Sequence, residues 1–242
     1  YVEKPISTVA QEARDLSELA QEKGLVLMVG HLLLYHPAVN RLKMLIEDGV
    51  LGKIVYAQSD RLNVNYHNNG RSVMWDLAPH DVSMMSYVIG KAPKRVISAI
   101  GASSDQNDIM DITHIGIEFE DGVTGHISDS WITPRKHVTL LVRGTEKTAI
   151  LDDTVPENKL VVFDNFANNT QNITAPDVLE IEPLKLECQH FISCCETGKK
   201  ARSDGDNGFM VTQILEEAEK IMLGERVKKL DEVNFALSRM KK

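Results

Sequence analysis

The 242-residue chain lacks most of the short motifs that announce a chemistry. It has no G-x-G-x-x-G, no Walker-type phosphate loop, no G-x-S-x-G and no C-x-x-C. Nothing in it therefore cradles a dinucleotide pyrophosphate. Cysteine is scarce: Cys188, Cys194 and Cys195 are the only three. An odd count with two adjacent residues makes no disulfide framework, so buried free thiols on a helix and a reducing, cytoplasmic setting are expected. No apolar run approaches the ~20 residues of a membrane span, because "GLVLMVGHLLLY" is interrupted by Gly30 and His31, and no secretory signal opens the chain. A basic face is absent too. The net charge is −8 with both signs interspersed, which excludes a nucleic-acid binder but leaves an anionic small molecule open.

What is present reads as one globular α/β (α+β) protein. Thr8 and Gln11 have capping-box spacing ahead of "VAQEARDLSELAQEKG", whose Val9, Ala13, Leu16 and Ala20 recur with helical period up to Gly24. "LVLMVG" at 25–30 reads as a buried strand, a second helix runs from Pro37 to a stop at Gly49, and 53–63 reads as a strand. Residues 64–72 are polar and turn-rich, so a loop is expected. A helix at about 76–89 ends at Gly90. From Lys94 onward the texture is that of strands. Thr113, Ile115, Ile117 and Phe119 alternate into an Asp121-Gly122 hairpin, "HVTLLVRGT", "KTAILDD" and "KLVVFD" continue, and two helices follow. This order predicts a large, mostly antiparallel open-faced sheet with helices on one face. Ile and Phe on its other face predict a homo-oligomer.

Two places carry candidate chemistry. Lys4, in Glu3-Lys4-Pro5, precedes a proline and is confined to an extended backbone at a strand tip. That suits an ammonium reaching a substrate from a fixed place, and equally a surface lysine in a turn. In "WDLAPHD", Pro79 marks a first helical turn, which sets His80 near a helix N-terminus where the macrodipole disfavours imidazolium. Asp76 then caps the helix or orients the imidazole; the plainer reading is an N-cap and a packed histidine. Arg61 and Asn63 leave a strand beside the polar loop, placed either to meet a ligand or on a solvated face. His31 and His36 flank "LLLY" with no second pair at ligand spacing, so no metal site is expected. His114 and His126 read as structural.

Together, "VEKP" at 2–5, "VGHLLLYHPAVNRLKMLIEDGVLGKI" at 29–54, "WDLAPHD" at 75–81 and "PLKLECQHFISCCETGKKARSDGDNG" at 183–208 resemble the Gfo/Idh/MocA family of NAD(P)-dependent sugar oxidoreductases, in order and in spacing. The "WDLAPHD" form is most similar to members acting on nucleotide sugars, the UDP-N-acetylglucosamine-type 3-dehydrogenases. The resemblance implies that residues 1–30 are the end of an N-terminal Rossmann domain, otherwise preceding Tyr1, and that 31–242 are the substrate-binding and oligomerisation domain. It maps the family's E-K-P lysine onto Lys4 and its D-x-x-x-H onto Asp76 and His80. Glu3, Lys4 and Pro5 then border the nicotinamide of NAD or NADP. The family often has Gly-Gly before the D-x-x-x-H and Asp three residues after its histidine; here stand Arg71-Ser72 and Ser83.

On that resemblance a sugar hydroxyl is oxidised to a ketone, His80 or Lys4 takes the proton, Asp76 orients His80, and Arg61 and Asn63 hold sugar or diphosphate. The 242-residue chain by itself is expected to be inactive and not to bind NAD stably. Two other readings compete: a non-enzymatic sugar-binding or assembly module, and a metal-dependent hydrolase or isomerase using Asp76, His80 and His31.

Overall fold

A computed structural model describes residues 1–64, 70–104, 109–164 and 173–240, with 225–240 as helix backbone only. Its elements are α1 (Ala10–Glu22), α2 (Pro37–Glu47), β1 (Ile54–Val64), α3 (Val73–Ile89), β2 (Pro93–Ala102), β3 (Ile112–Phe119) and β4 (Thr124–Ser130). They continue with β5 (Ile132–Gly144), β6 (Lys147–Asp152), β7 (Leu160–Asp164), β8 (Ile173–Thr174), α4 (Pro183–Thr197) and α5 (Gly205–Met240). The strands form one sheet in the order β2-β3-β4-β1-β5-β6-β7-β8. Among the described strand pairs of this sheet only β1–β4 is parallel. A parallel neighbour needs a crossover, and α3 lies in the connection from β1 back to β4.

The expected alternation puts Thr113, Ile115, Ile117 and Phe119 on the covered face, each fully buried. Val82, Met85 and Val88 of α3 bury into the same core. Helix and sheet meet closely at Gly125, where a Cβ would stand 2.5 Å from the Met85 Cε and 2.7 Å from the Phe119 ring. The β3–β4 hairpin turns on Asp121 and Gly122, with φ of 57° and 76°, the left-handed pair that Asp-Gly supplies without strain. Helix α3 stops at Gly90 in the left-handed conformation, as its sequence predicts.

Several local expectations are corrected. Helix α1 has Val9, not Thr8, at its N-cap and no side-chain cap bond. Its buried face is Ala13 and Ser17, with Leu16 exposed, because α1 lies on the start of α5 and small residues allow the approach. Ser17 Oγ donates to Asp206 Oδ1 at 2.7 Å across that contact. Segment 25–30 is not a full strand: only Met28 and Val29 make bridges, to Asp204 and Val2, and Leu25 is exposed. Only Cys194 of the three thiols is buried, since helical rotation of about 100° per residue turns Cys188 and Cys195 outward.

The open sheet face is more polar than Ile and Phe alone suggested. Tyr56 donates to Gln58 and Gln58 to Asp60 along β1, while His114 and His126 stack at 5.8 Å on β3 and β4. Ile97 and Ile100 of β2 are about half exposed. Of the predicted loop, residues 65–69 lie outside the described residues.

Candidate functional site

The N-terminal segment is tied in by Val2, which bridges in parallel to Val29, and the Lys4–Pro5 peptide is cis. From there Lys4 Nζ donates to the Asp76 carbonyl at 2.5 Å and to Asp76 Oδ1 at 3.0 Å, across 72 residues of sequence. An ammonium has three N–H groups, so one remains for a ligand. The Lys4 side chain is 17% exposed and that of Asp76 38%, so this corner opens to one side.

Helix α3 starts at Val73, so Pro79 lies inside it rather than in its first turn. His80 is therefore not at the helix N-terminus, and the macrodipole does not account for its charge state. Asp76 is in the first turn but is no N-cap; that place belongs to Ser72. The cause of a neutral His80 is different. Burial, then the positive charges of Arg61 and Lys4 and the nearby His31, hold its pKa well below the ordinary histidine value. Its Nδ1 is buried without a hydrogen-bond partner among the described residues. His31 is buried, and desolvation lowers its pKa to about 4. His31 Nδ1 lies 2.7 Å from Asn207 Oδ1, which also accepts from Ser83 Oγ at 3.1 Å. Thus Ser83, where the family often has Asp, anchors a histidine through an amide.

Arg61 does not face solvent or open toward a ligand. Its Nε donates to Asp81 Oδ2 and its Nη2 to Asp81 Oδ1, both at 3.0 Å, a two-point grip under α3. Asp81 is fully buried and also accepts from Ser59 Oγ at 2.6 Å. Beside this pair, Asp129 stands opposite Arg61 in the β1–β4 register. It is fully buried, and both of its carboxylate oxygens lack partners among the described residues. Desolvation and the charge of Asp81 raise its pKa well above the usual carboxylate range. Two buried acids thus face one guanidinium, which can match the charge of only one of them. Asn63 follows Arg61 on the same strand face and is half-buried.

Sequence reading missed Asp81, Asp129 and the roles of His31 and Asn207. The signal for Asp129 was available: in "GHISDS" it shares the alternation phase of the buried Ile127, where a charged residue is out of place. Nothing local points to Asn207, 176 residues from His31. The sequence did bring Lys4, Asp76 and His80 to notice, and the fold gathers them. Glu3 turns the other way, beside Gly30 and near Glu187. Five cavities are walled by described residues, and neither Lys4 nor His80 lines any of those five. Among the described residues no three His, Cys, Asp or Glu side chains are grouped to hold a metal ion, and no helix is long and apolar enough to cross a membrane.

Glu187, 1% exposed, has its pKa raised to about 7 by desolvation and by Glu3, against a hydrogen bond from Tyr1. Its folded-state pKa lies above the unfolded one. The protonated acid therefore favours the fold below about pH 4.5, and that advantage is lost as pH rises through about 7. Glu187→Gln is expected to flatten the pH dependence of the melting temperature between these limits and to raise it at pH 8, checked by thermal melts across that range. A wild-type melting temperature that does not fall as pH rises through this window would contradict the assignment.

Comparison with known proteins relates the domain and the fold. Residues 39–150 match the GFO/IDH/MocA C-terminal domain. The chain is 25% identical over 210 residues to scyllo-inositol 2-dehydrogenase (NAD(+)) of Bacillus subtilis, an alignment covering 82% of this chain and 61% of that protein. The chain thus spans less than two thirds of that relative's length. Among solved structures, UDP-N-acetylglucosamine 3-dehydrogenase from Acidithiobacillus ferrooxidans superposes with a TM-score of 0.77 at 22% identity, over 92% of this chain and 69% of that one. Levoglucosan dehydrogenase in complex with NADH superposes with a TM-score of 0.81 at 18% identity, over 93% and 71%. At such identities these two likenesses establish the fold. Over residues 39–150 the chain thus matches the GFO/IDH/MocA C-terminal domain, and over most of its length it shares the fold of these solved oxidoreductases.

Proposed function

We propose that this chain is the substrate-binding portion of an NAD(P)-dependent dehydrogenase that oxidises a hydroxyl of a sugar or polyol to a ketone. The observation that carries this reading is the junction of Lys4, Asp76 and a neutral, half-buried His80. The scyllo-inositol and levoglucosan dehydrogenases among its relatives support the polyhydroxylated substrate class. A nucleotide sugar is the narrower proposal, supported by the UDP-N-acetylglucosamine 3-dehydrogenase likeness and by "WDLAPHD".

NAD(P) would supply the hydride acceptor. The fit is partial: Lys4 keeps a free N–H at the open corner and His80 Nδ1 lacks a partner, while no glycine-rich phosphate cradle occurs in the chain. Glu3, Lys4 and Pro5 would border the nicotinamide end, and the phosphate-binding part falls outside this sequence, with residues 1–30 as the edge of that domain and 31–242 as the substrate domain. In the reaction the Lys4 ammonium hydrogen-bonds the substrate oxygen and stabilises its developing negative charge. His80, free of a proton, takes the hydroxyl proton. Asp76 fixes the Lys4 ammonium rather than the imidazole, since its carbonyl and its Oδ1 both accept from Lys4 Nζ. Arg61 acts through Asp81 and its field at His80, and Asn63 is left to touch substrate.

The test is the complete polypeptide assayed for nicotinamide fluorescence with inositols, anhydrosugars and UDP-sugars. Turnover of polyols with none of UDP-sugars removes the narrower proposal, and no turnover in the whole panel removes the broader one. The 242-residue chain alone is expected to show no saturable NAD+ binding by calorimetry. We also assign the open sheet face, with Ile97 and Ile100, to a second copy of the chain in a cytoplasmic enzyme.

A further inference from the structure

Away from the Lys4–His80 corner, a cavity of about 510 Å³ lies between the first half of α2, the start of α4 and the extended segment 175–182. Its polar wall includes Asn40, Arg41, His190 and Arg202; its apolar wall includes Met44, Leu179, Ile181 and Leu186. Pro37, Asp177, Leu179 and Ile181 also border a second hollow of about 580 Å³, so the segment is undercut on both sides.

Arg202 is held in place before any ligand arrives. Its guanidinium lies 5.0 Å from the centre of the Tyr35 ring and 5.1 Å from that of Tyr87. Its Nη1 donates to the Leu34 carbonyl and to Asn40 Oδ1, and Asn40 Oδ1 is itself fixed by the Tyr87 hydroxyl at 2.8 Å. His190 Nε2 accepts from the Arg202 backbone N–H at 3.1 Å; burial and the guanidinium lower the pKa of that imidazole. These contacts use one end of the guanidinium. Its Nε and Nη2 have no hydrogen-bond partner among the described residues, and neither Arg202 nor Arg41 is paired with a carboxylate there.

A guanidinium with one edge satisfied and the other presented side-on matches a planar oxyanion that accepts two parallel hydrogen bonds. The apolar side chains are exposed to an unusual degree for their type: Leu179 is 73% exposed, Met44 52% and Ile181 39%, whereas the neighbouring Val178 packs on the core. They would cover an apolar tail of several carbons in a cavity of this size. Two arginines against the single acid Asp177 suit a monoanion. We infer that this cavity is a ligand site for a small monocarboxylate with an apolar tail, its carboxylate on Arg202 and its tail between α2 and the 175–182 segment. The site shares no residue with the Lys4, Asp76 and His80 corner, so it stands or falls independently of the dehydrogenase reading.

Octanoate, below its micelle-forming range, is the probe. Added to the 242-residue chain, it is expected to give saturable NMR shifts of the Met44, Leu179 and Ile181 methyl groups. Its neutral isostere octanamide should bind about ten-fold more weakly or less, as should octanoate to Arg202→Gln, because a charge-assisted pair is lost. Leu179→Glu places a carboxylate at the mouth at a well-exposed position that the fold does not need, and is expected to abolish binding. Should Arg202→Gln fail to fold, the octanamide comparison and Leu179→Glu still decide. The inference is overturned by no saturable shift up to about 10 mM octanoate, by equal affinity for octanamide, or by undiminished binding to Leu179→Glu.

Discussion

His80→Ala in the complete enzyme is expected to lower kcat by about 10²–10⁴-fold, the usual contribution of a positioned acid–base group. Lys4→Ala should fall in the same range, because an ammonium aimed at a developing oxyanion is worth as much as one hydrogen-bond donor of an oxyanion hole. The two changes separate by their pH profiles. The half-buried imidazole is kept free of a proton by desolvation and by Arg61, Lys4 and His31, so its protonation limits activity only well below the ordinary histidine pKa. The wild-type acid limb should therefore lie at low pH. Lys4→Ala removes one positive neighbour, so the limb moves up; His80→Ala removes it. Steady-state kinetics from pH 4 to pH 9, about the practical assay range, read both effects. Near-wild-type turnover in either variant would strip that residue of its role, and a limb that stays put in Lys4→Ala would show that the ammonium does not act on His80.

Arg61→Ala should cost about 3–5 kcal/mol of stability, since it strands the fully buried Asp81 without its partner. For a chain of this size that corresponds to a fall in Tm of roughly 10 °C. The paired change Arg61→Met with Asp81→Leu removes both charges and should recover most of that loss, as replaced buried ion pairs generally do. Urea or thermal unfolding of the two variants against wild type is the measurement. A stable Arg61→Ala that loses only substrate affinity would restore the arginine to the binding role that its sequence position suggests.

The strand-to-loop position of Arg61 made it look free, yet its strand phase, shared with the buried Ala57 and Ser59, turns it under α3. Similarly, Pro79 read as a first turn because proline is tolerated there, but the apolar run Val73-Met74-Trp75 buries into the core and draws the helix start upstream. For His80, lost water and the charges of Arg61 and Lys4, rather than a helix end, hold the pKa below the ordinary histidine value.

The sequence by itself determined the elements and their phase. Period-2 alternation in β3, an Asp-Gly hairpin, Pro37 opening α2 and Gly90 closing α3 are local statements, decided by backbone sterics and by which side chains avoid water. It also marked Lys4, Asp76 and His80, through the residue types and spacing shared with a family. Only the tertiary structure decided which groups answer one another: Lys4 with Asp76 across 72 residues, Arg61 with Asp81 instead of a ligand, Asn207 with His31, and a second acid beside one guanidinium. Electrostatic pairing and desolvation depend on distance through space and on the loss of water, and neither is encoded in the separation of residues along a chain.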